Sequence, residues 1–142
     1  MKFVDDILNV KGRDIWSVHP DATVFDAVKL MSEKGVGALL VMEGESLRGI
    51  ITERDYARKI ILEGKSSRLT PVTDVMTKRV LYVGPDRATR ECMALMTTNR
   101  VRHLPVVKEK RVVGMVSIGD LVKAIIDEQQ IIIDQLQEYI AG

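Results

Sequence analysis

Apolar and polar residues follow one pattern twice along the chain. In the first half, a short apolar-rich strand is predicted over Ile15–Val18. Val24, Ala27, Val28, Leu30 and Met31 then recur at helical spacing and stop before Gly35. The run Ala38–Met42, the polar stretch Glu43-Gly44-Glu45-Ser46 and the run Leu47–Ile51 predict a hairpin, and a helix is expected from Glu53 to about Glu63. The second half repeats this order. A strand is expected over Val80–Val83, then a helix carrying Cys92, Met93, Leu95 and Met96. A hairpin follows over His103–Val107 and Val112–Val116 around Lys108-Glu109-Lys110-Arg111, and a helix runs from about Ile118 to about Tyr139. Each half reads β-α-β-β-α.

The halves are copies of one unit. Displacing the sequence by 65 positions lays Val18-His19-Pro20-Asp21 on Val83-Gly84-Pro85-Asp86 and Gly49-Ile50-Ile51-Thr52 on Gly114-Met115-Val116-Ser117, without a gap from about Val18 to Ile61. Upstream, Val4-Asp5-Asp6-Ile7-Leu8 matches Val72-Thr73-Asp74-Val75-Met76 only after a three-residue shift, so the first copy carries an insertion around Val10–Arg13. The expected fold class is α/β, with two repeats packed as a pseudo-twofold pair: residues 5–64, a polar linker at 65–70, residues 71–127, and a helical extension at 128–142. Thr70-Pro71 reads as an N-cap with Pro at the first helical position, opening a turn of helix through Met76.

Composition narrows the class of function. Of 142 residues, 46% are apolar, enough for a sizeable core, while aromatics at 4% offer few stacking platforms for single-stranded nucleic acid. A net charge of +1 with mixed signs gives no strong field toward nucleic acid or an anionic membrane. The single cysteine, Cys92, cannot form an internal disulfide, and no Cys/His set has zinc spacing, so no metal is expected. The first residues show no signal-peptide core, and no run reaches the roughly 18–20 apolar residues of a membrane helix. These features together predict a cytoplasmic protein with no membrane partner.

The sharpest chemical feature is the duplicated Gly-apolar-apolar-Thr/Ser-x-x-Asp, with Thr52 and Asp55 in one copy and Ser117 and Asp120 in the other. A hydroxyl followed three residues later by an acid, where a strand becomes a helix, is the pattern of a capping box. A helix amino terminus with a hydroxyl also suits a phosphate, and a carboxylate, which only accepts, suits the two donors of a ribose diol. Both readings stand on the same residues.

With Val101-Arg102-His103-Leu104-Pro105-Val106-Val107, this signature and the repeat make the chain resemble a tandem pair of CBS domains, over about Asp5 to Ile126. The resemblance implies a cleft between the repeats that holds AMP or a related adenine nucleotide, with ADP, ATP, NAD or S-adenosylmethionine as alternatives. It implies that Asp55 and Asp120 bind ribose and that Thr52 and Ser117 lie by phosphate or ribose. By position it places adenine among Ile15, Trp16, Val18, Val80, Tyr82, Val83, Gly37, Ala38, Met115 and Val116. It also implies a homodimer and a regulated partner protein.

The copies differ in charge. Arg100, Arg102 and His103 stand where the first copy has Gly35, Gly37 and Ala38, so the second copy is expected to hold phosphate. The glycines are read as allowing close backbone approach. Arg54, Arg58 and Lys59 read as a solvated face, Lys11 and Arg13 as a weaker phosphate contact, and Trp16 as core or dimer packing. The isoleucines of the last helix exceed what one helix face gives its own core, and the surplus reads as subunit contact. No Ser-His-acid or Cys-His pairing, Walker loop or G-x-G-x-x-G is present, so no catalysis is expected. The competing readings are a ligand-free interaction protein using the last helix and, less well supported, a nucleic-acid binder.

Overall fold

A computed structural model describes residues 2–141. In chain order the elements are α1 (Val4–Lys11), β1 (Ser17–Val18), α2 (Val24–Lys34), β2 (Ala38–Glu43), β3 (Ser46–Thr52), α3 (Glu53–Tyr56) continuing into a π-helix (Ala57–Ile61), a 3-10 helix (Val72–Asp74), α4 (Thr89–Asn99), β4 (His103–Lys108), β5 (Arg111–Ser117) and α5 (Ile118–Ala141). They form two compact units. The central unit is Ile15–Val80; the terminal unit joins the residues up to Asp14 with those from Leu81 onward.

In the central unit the strand order is β1-β2-β3, with β1 parallel and β3 antiparallel to β2. The α2 helix opens with a complete capping box: the Thr23 hydroxyl accepts from the Asp26 amide at 3.1 Å, and the Asp26 carboxylate accepts from the Thr23 amide at 3.2 Å. It closes at Gly35, which takes a left-handed φ of 64°. Nothing lies within 4 Å of a Cβ built there, so the turn, and no neighbouring protein atom, calls for glycine at this position.

The terminal unit shows what the same pattern tolerates. Strands β4 and β5 pair antiparallel, with a register shift between Val106 and Val107, the repeat equivalent of the shift between Val41 and Met42. The equivalent of β1 shrinks to one parallel bridge, Val83 to Val106, matching Val18 to Val41. Helix α4 starts after Ala88, which has no side-chain cap where the first copy has Thr23, and ends at Arg100 with φ 54° where the first copy has Gly35.

Each unit has its own core, and the cores do not follow the repeats. Val24, Ala27, Met31, Leu39, Val41 and Ile51 pack with Val72 and Val75, which belong to the second repeat by sequence. Cys92, Met96, Leu104, Val106 and Val116 pack with Val4, Ile7 and Leu8, which belong to the first. The short helical segment that precedes each repeat therefore completes the core of the other. This crosses the sequence boundaries drawn at 5–64 and 71–127.

The glycines of the duplicated signature follow from that exchange. A Cβ on Gly114 would stand 2.8 Å from both Leu8 methyls; one on Gly49 would stand 2.6 Å from the Met76 sulfur and 2.9 Å from the Thr77 carbonyl. Leu8 and Met76 are the equivalent residues of the two exchanged segments. Glycine fits there because the exchanged segment of the same unit lies on the strand at that point.

Three local expectations are corrected. Pro71 is extended (φ −70°, ψ 150°) ahead of a single 3-10 turn, and the Thr70 hydroxyl donates to the Ser66 carbonyl at 2.7 Å instead of capping. The helix after Thr52 is α-helical only to Tyr56 and widens to π through Ile61, short of Glu63. Of the two roles expected for Trp16, only core packing is overturned: it is 38% exposed, with the Lys34 ammonium 4.3 Å above its ring.

Candidate functional site

Both copies of the signature form at the point where a strand enters a helix. In the central unit the Asp55 amide donates to the Thr52 hydroxyl at 3.1 Å, while Asp55 Oδ2 accepts from the Thr52 amide at 3.0 Å and from its hydroxyl at 3.2 Å. In the terminal unit the Asp120 amide donates to Ser117 Oγ at 3.2 Å, and Asp120 Oδ2 accepts from the Ser117 amide at 2.8 Å. The first helical amides are anchored alike: Glu53 donates to the Gly37 carbonyl and Ile118 to the Arg102 carbonyl. The capping reading is thus realised in full.

Each aspartate also holds a lysine, and the two lysines are not repeat equivalents. Lys59, one turn along from Asp55, lies 3.4 Å from Asp55 Oδ1 and donates to the Val75 carbonyl at 2.8 Å. Lys11, at the end of α1, donates to Asp120 Oδ2 at 2.7 Å and to the Met115 carbonyl at 2.9 Å. In both units the lysine ties the signature aspartate to the exchanged segment or from it. Lys59 was legible as an i, i+4 partner of Asp55. Lys11 was not, since 109 positions separate it from Asp120. Arg13 beside it is engaged elsewhere, on Asp5 at 3.0 Å and Asn9 at 2.6 Å.

The terminal unit carries the denser charge. His103 stands opposite Ser117 across β4 and β5, where the central unit pairs Ala38 with Thr52. Burial lowers the pKa of His103; Asp120 opposes this, and Lys11 and Arg102 reinforce it, so the imidazole is neutral at neutral pH. For Asp120, burial alone would raise the pKa. The hydrogen bond and charge of Lys11, with the bonds from Ser117, outweigh that and hold the carboxyl below its ordinary value. The Lys11 ammonium and the Ser117 amide both meet Asp120 at Oδ2, whereas in Asp55 the lysine faces Oδ1.

The remaining residues expected at the site divide. Arg100 and Arg102 are exposed close to His103 in sequence. Tyr82 is 59% exposed; Ile15, Val18, Val80, Gly37 and Met115 are partly buried. Ala38 is buried on β2. Val83 and Val116 are sealed in the core of the terminal unit, and both the amide and the carbonyl of Val83 are bonded to β4, so neither side chain offers a surface to adenine. Among the described residues no group of three or more His, Cys, Asp or Glu is placed to hold a metal ion, and no helix is long and apolar enough to cross a membrane.

Comparison with known proteins agrees with this architecture. The family profile "CBS domain" matches twice, over residues 4–62 and 72–127. The chain is 45% identical over 149 aligned positions to "CBS domain-containing protein CBSX3, mitochondrial" of Arabidopsis thaliana, covering 98% of this chain and 72% of that protein. A solved structure of a protein with CBS domains from Burkholderia ambifaria MC40-6 is 52% identical and superposes with a TM-score of 0.87, covering 89% of this chain and 96% of that one. The CBS domain pair of protein MJ0100, solved with 5-methylthioadenosine and S-adenosyl-L-methionine, shares the fold at 24% identity and a TM-score of 0.80, covering 90% of this chain and 98% of that one. The duplicated unit and the fold are thus those of known relatives, and the chain belongs to the CBS-domain family as a tandem pair.

Proposed function

We propose that the chain is a regulatory module that binds an adenine nucleotide of the AMP type and reports energy or redox state to a partner protein, without catalysis of its own. The observation that carries this reading is the terminal unit's Asp120. Its carboxylate is ionised and fixed through Oδ2 by Ser117 and Lys11, and a ribose hydroxyl would donate to its Oδ1. Beside it, His103 and Arg102 with Lys11 supply donors and positive charge for phosphate. The central unit has Gly37 and Ala38 where the terminal unit has Arg102 and His103, and beside its Thr52 and Asp55 it keeps a lysine, Lys59. Adenosine ligands in a CBS pair of the same fold support the class; ADP, ATP, NAD and S-adenosylmethionine are the alternatives. We place the protein in a reducing compartment, read as the cytoplasm, although the Arabidopsis relative is named as mitochondrial. We take it to act as a homodimer, with neither nucleic acid nor membrane among its partners.

Calorimetry tests the site. Asp120→Asn keeps an acceptor for the cap and removes the charge; it should weaken AMP binding about tenfold or more, as expected for loss of a charge-assisted bond worth ~1.5–3 kcal/mol. Unchanged affinity in Asp120→Asn and Asp55→Asn, singly and together, would remove both aspartates from the site.

The completeness of the two capping boxes favours a second reading, a ligand-free interaction module. A bound ligand raises stability by RT ln(1 + [L]/Kd). A thermal-shift panel of AMP, ADP, ATP, NAD and S-adenosylmethionine with no response would favour that second reading.

A further inference from the structure

Helix α5 outruns its unit. Its last buried residue is Ala124, yet it continues unbroken to Ala141. In proteins most of a helix's stability comes from packing an amphipathic face, and this stretch has none packed within its own unit.

That face is defined by the sequence. Ile126, Ile133 and Ile140 repeat every seven residues, and Val122, Gln129 and Leu136 alternate with them at steps of four and three, the a and d positions of a heptad. Ile125, Ile132 and Tyr139 flank the same seam on one side. At about 100° per residue the apolar side chains fall within an arc of roughly 140°. They are exposed: Ile126 56%, Ile133 46%, Leu136 56%, Ile140 82%. The acids Asp127, Glu128, Asp134 and Glu138 all fall outside that arc, and no Lys or Arg follows Lys123.

We propose that the carboxy-terminal part of α5 pairs with the same helix of a second copy through this seam. The inference rests on the homodimer reading above and locates its interface. Charge placement selects the occupant. With every acid off the seam, two identical helices meet without like-charge contact, whereas an anionic bilayer would meet an all-acidic polar face. The one polar residue in the seam, Gln129, carries donors and an acceptor and is its own complement across a symmetric pair. Heptad-spaced Ile and Leu over successive turns is the pattern by which identical helices recognise each other.

Ile131 provides the control. It is 56% exposed, lies two residues from Ile133, and falls on the opposite side of the helix. Sedimentation of the full chain at micromolar concentration should show a dimer for the wild type and for Ile131→Asp. Ile133→Asp and the milder Leu136→Gln should shift toward monomer, Ile133→Asp with a dissociation constant raised roughly hundredfold or more because a charge enters the apolar seam. Thermal melting of both seam variants, whose altered positions are exposed in the protomer, verifies that the units stay folded. A monomeric wild type would end both the homodimer reading and this one. A wild-type dimer that survives Ile133→Asp and Leu136→Gln, or that is lost equally in Ile131→Asp, would leave a dimer whose interface is not this seam.

Discussion

Single residues carry the charge balance of the terminal unit. His103 has a lowered pKa, so the unfolded chain binds its proton first as pH falls. Its contribution to stability is complete above its ordinary value of 6.5 and is lost as pH drops from there toward the folded pKa. Asp120 has the same sign lower down, its contribution being complete above 3.8 and lost below it. Chemical unfolding between about pH 7 and 5 should therefore show stability falling in the wild type and a flatter profile in His103→Gln; matching slopes would contradict a buried neutral imidazole. A second residue-scale outcome concerns the turn of β4 and β5. Glu109 (φ 52°) and Lys110 (φ 66°) both take left-handed backbone without being Gly or Asn, a type I′ arrangement that costs ordinary residues ~1–2 kcal/mol each. Lys110→Gly should raise stability by about 1 kcal/mol, measured by denaturant midpoint at unchanged slope.

At the scale of elements, the exchanged segments decide stability. Leu8 is fully buried in the terminal core, though by sequence it belongs with the first repeat. Leu8→Ala should cost ~2–5 kcal/mol, with loss of hydrogen-exchange protection in β4 and β5 ahead of β2 and β3. The reverse order would contradict the exchange. The glycines it leans on should differ in tolerance. A methyl on Gly114 meets only the mobile ends of Leu8, whereas one on Gly49 meets the Thr77 backbone carbonyl as well. Gly49→Ala is therefore expected to be the more damaging of the two, within the ~1–3 kcal/mol typical of overpacking. The regular elements were legible because their periods were clean: α2 ends at Gly35, and both hairpins fall within a residue or two of the apolar runs. The π-helical turn at Ala57–Ile61 was not, since apolar spacing does not separate i+4 from i+5 bonding.

For the whole molecule, the repeat is visible in the sequence, whereas the presence of two cores and their membership come from chain crossing in the structure. Removing residues 2–14 should unfold the terminal unit and leave the central unit, whose buried residues all lie within Ile15–Val80, able to hold its own core. Proteolysis that spared both units, or cleaved both at once, would overturn that independence. The sequence by itself determined the α/β class, the duplication, the two Thr/Ser-x-x-Asp turns and the apolar seam of α5, because each is a pattern of neighbours a few residues apart. Only the tertiary structure decided that Leu8 sits on Gly114 and Met76 on Gly49, that Lys11 closes on Asp120, and that Val83 and Val116 are sealed away while Trp16 is not. Those outcomes depend on which distant segment fills the space beside a strand. Local periodicity carries no information about contacts separated by a hundred residues.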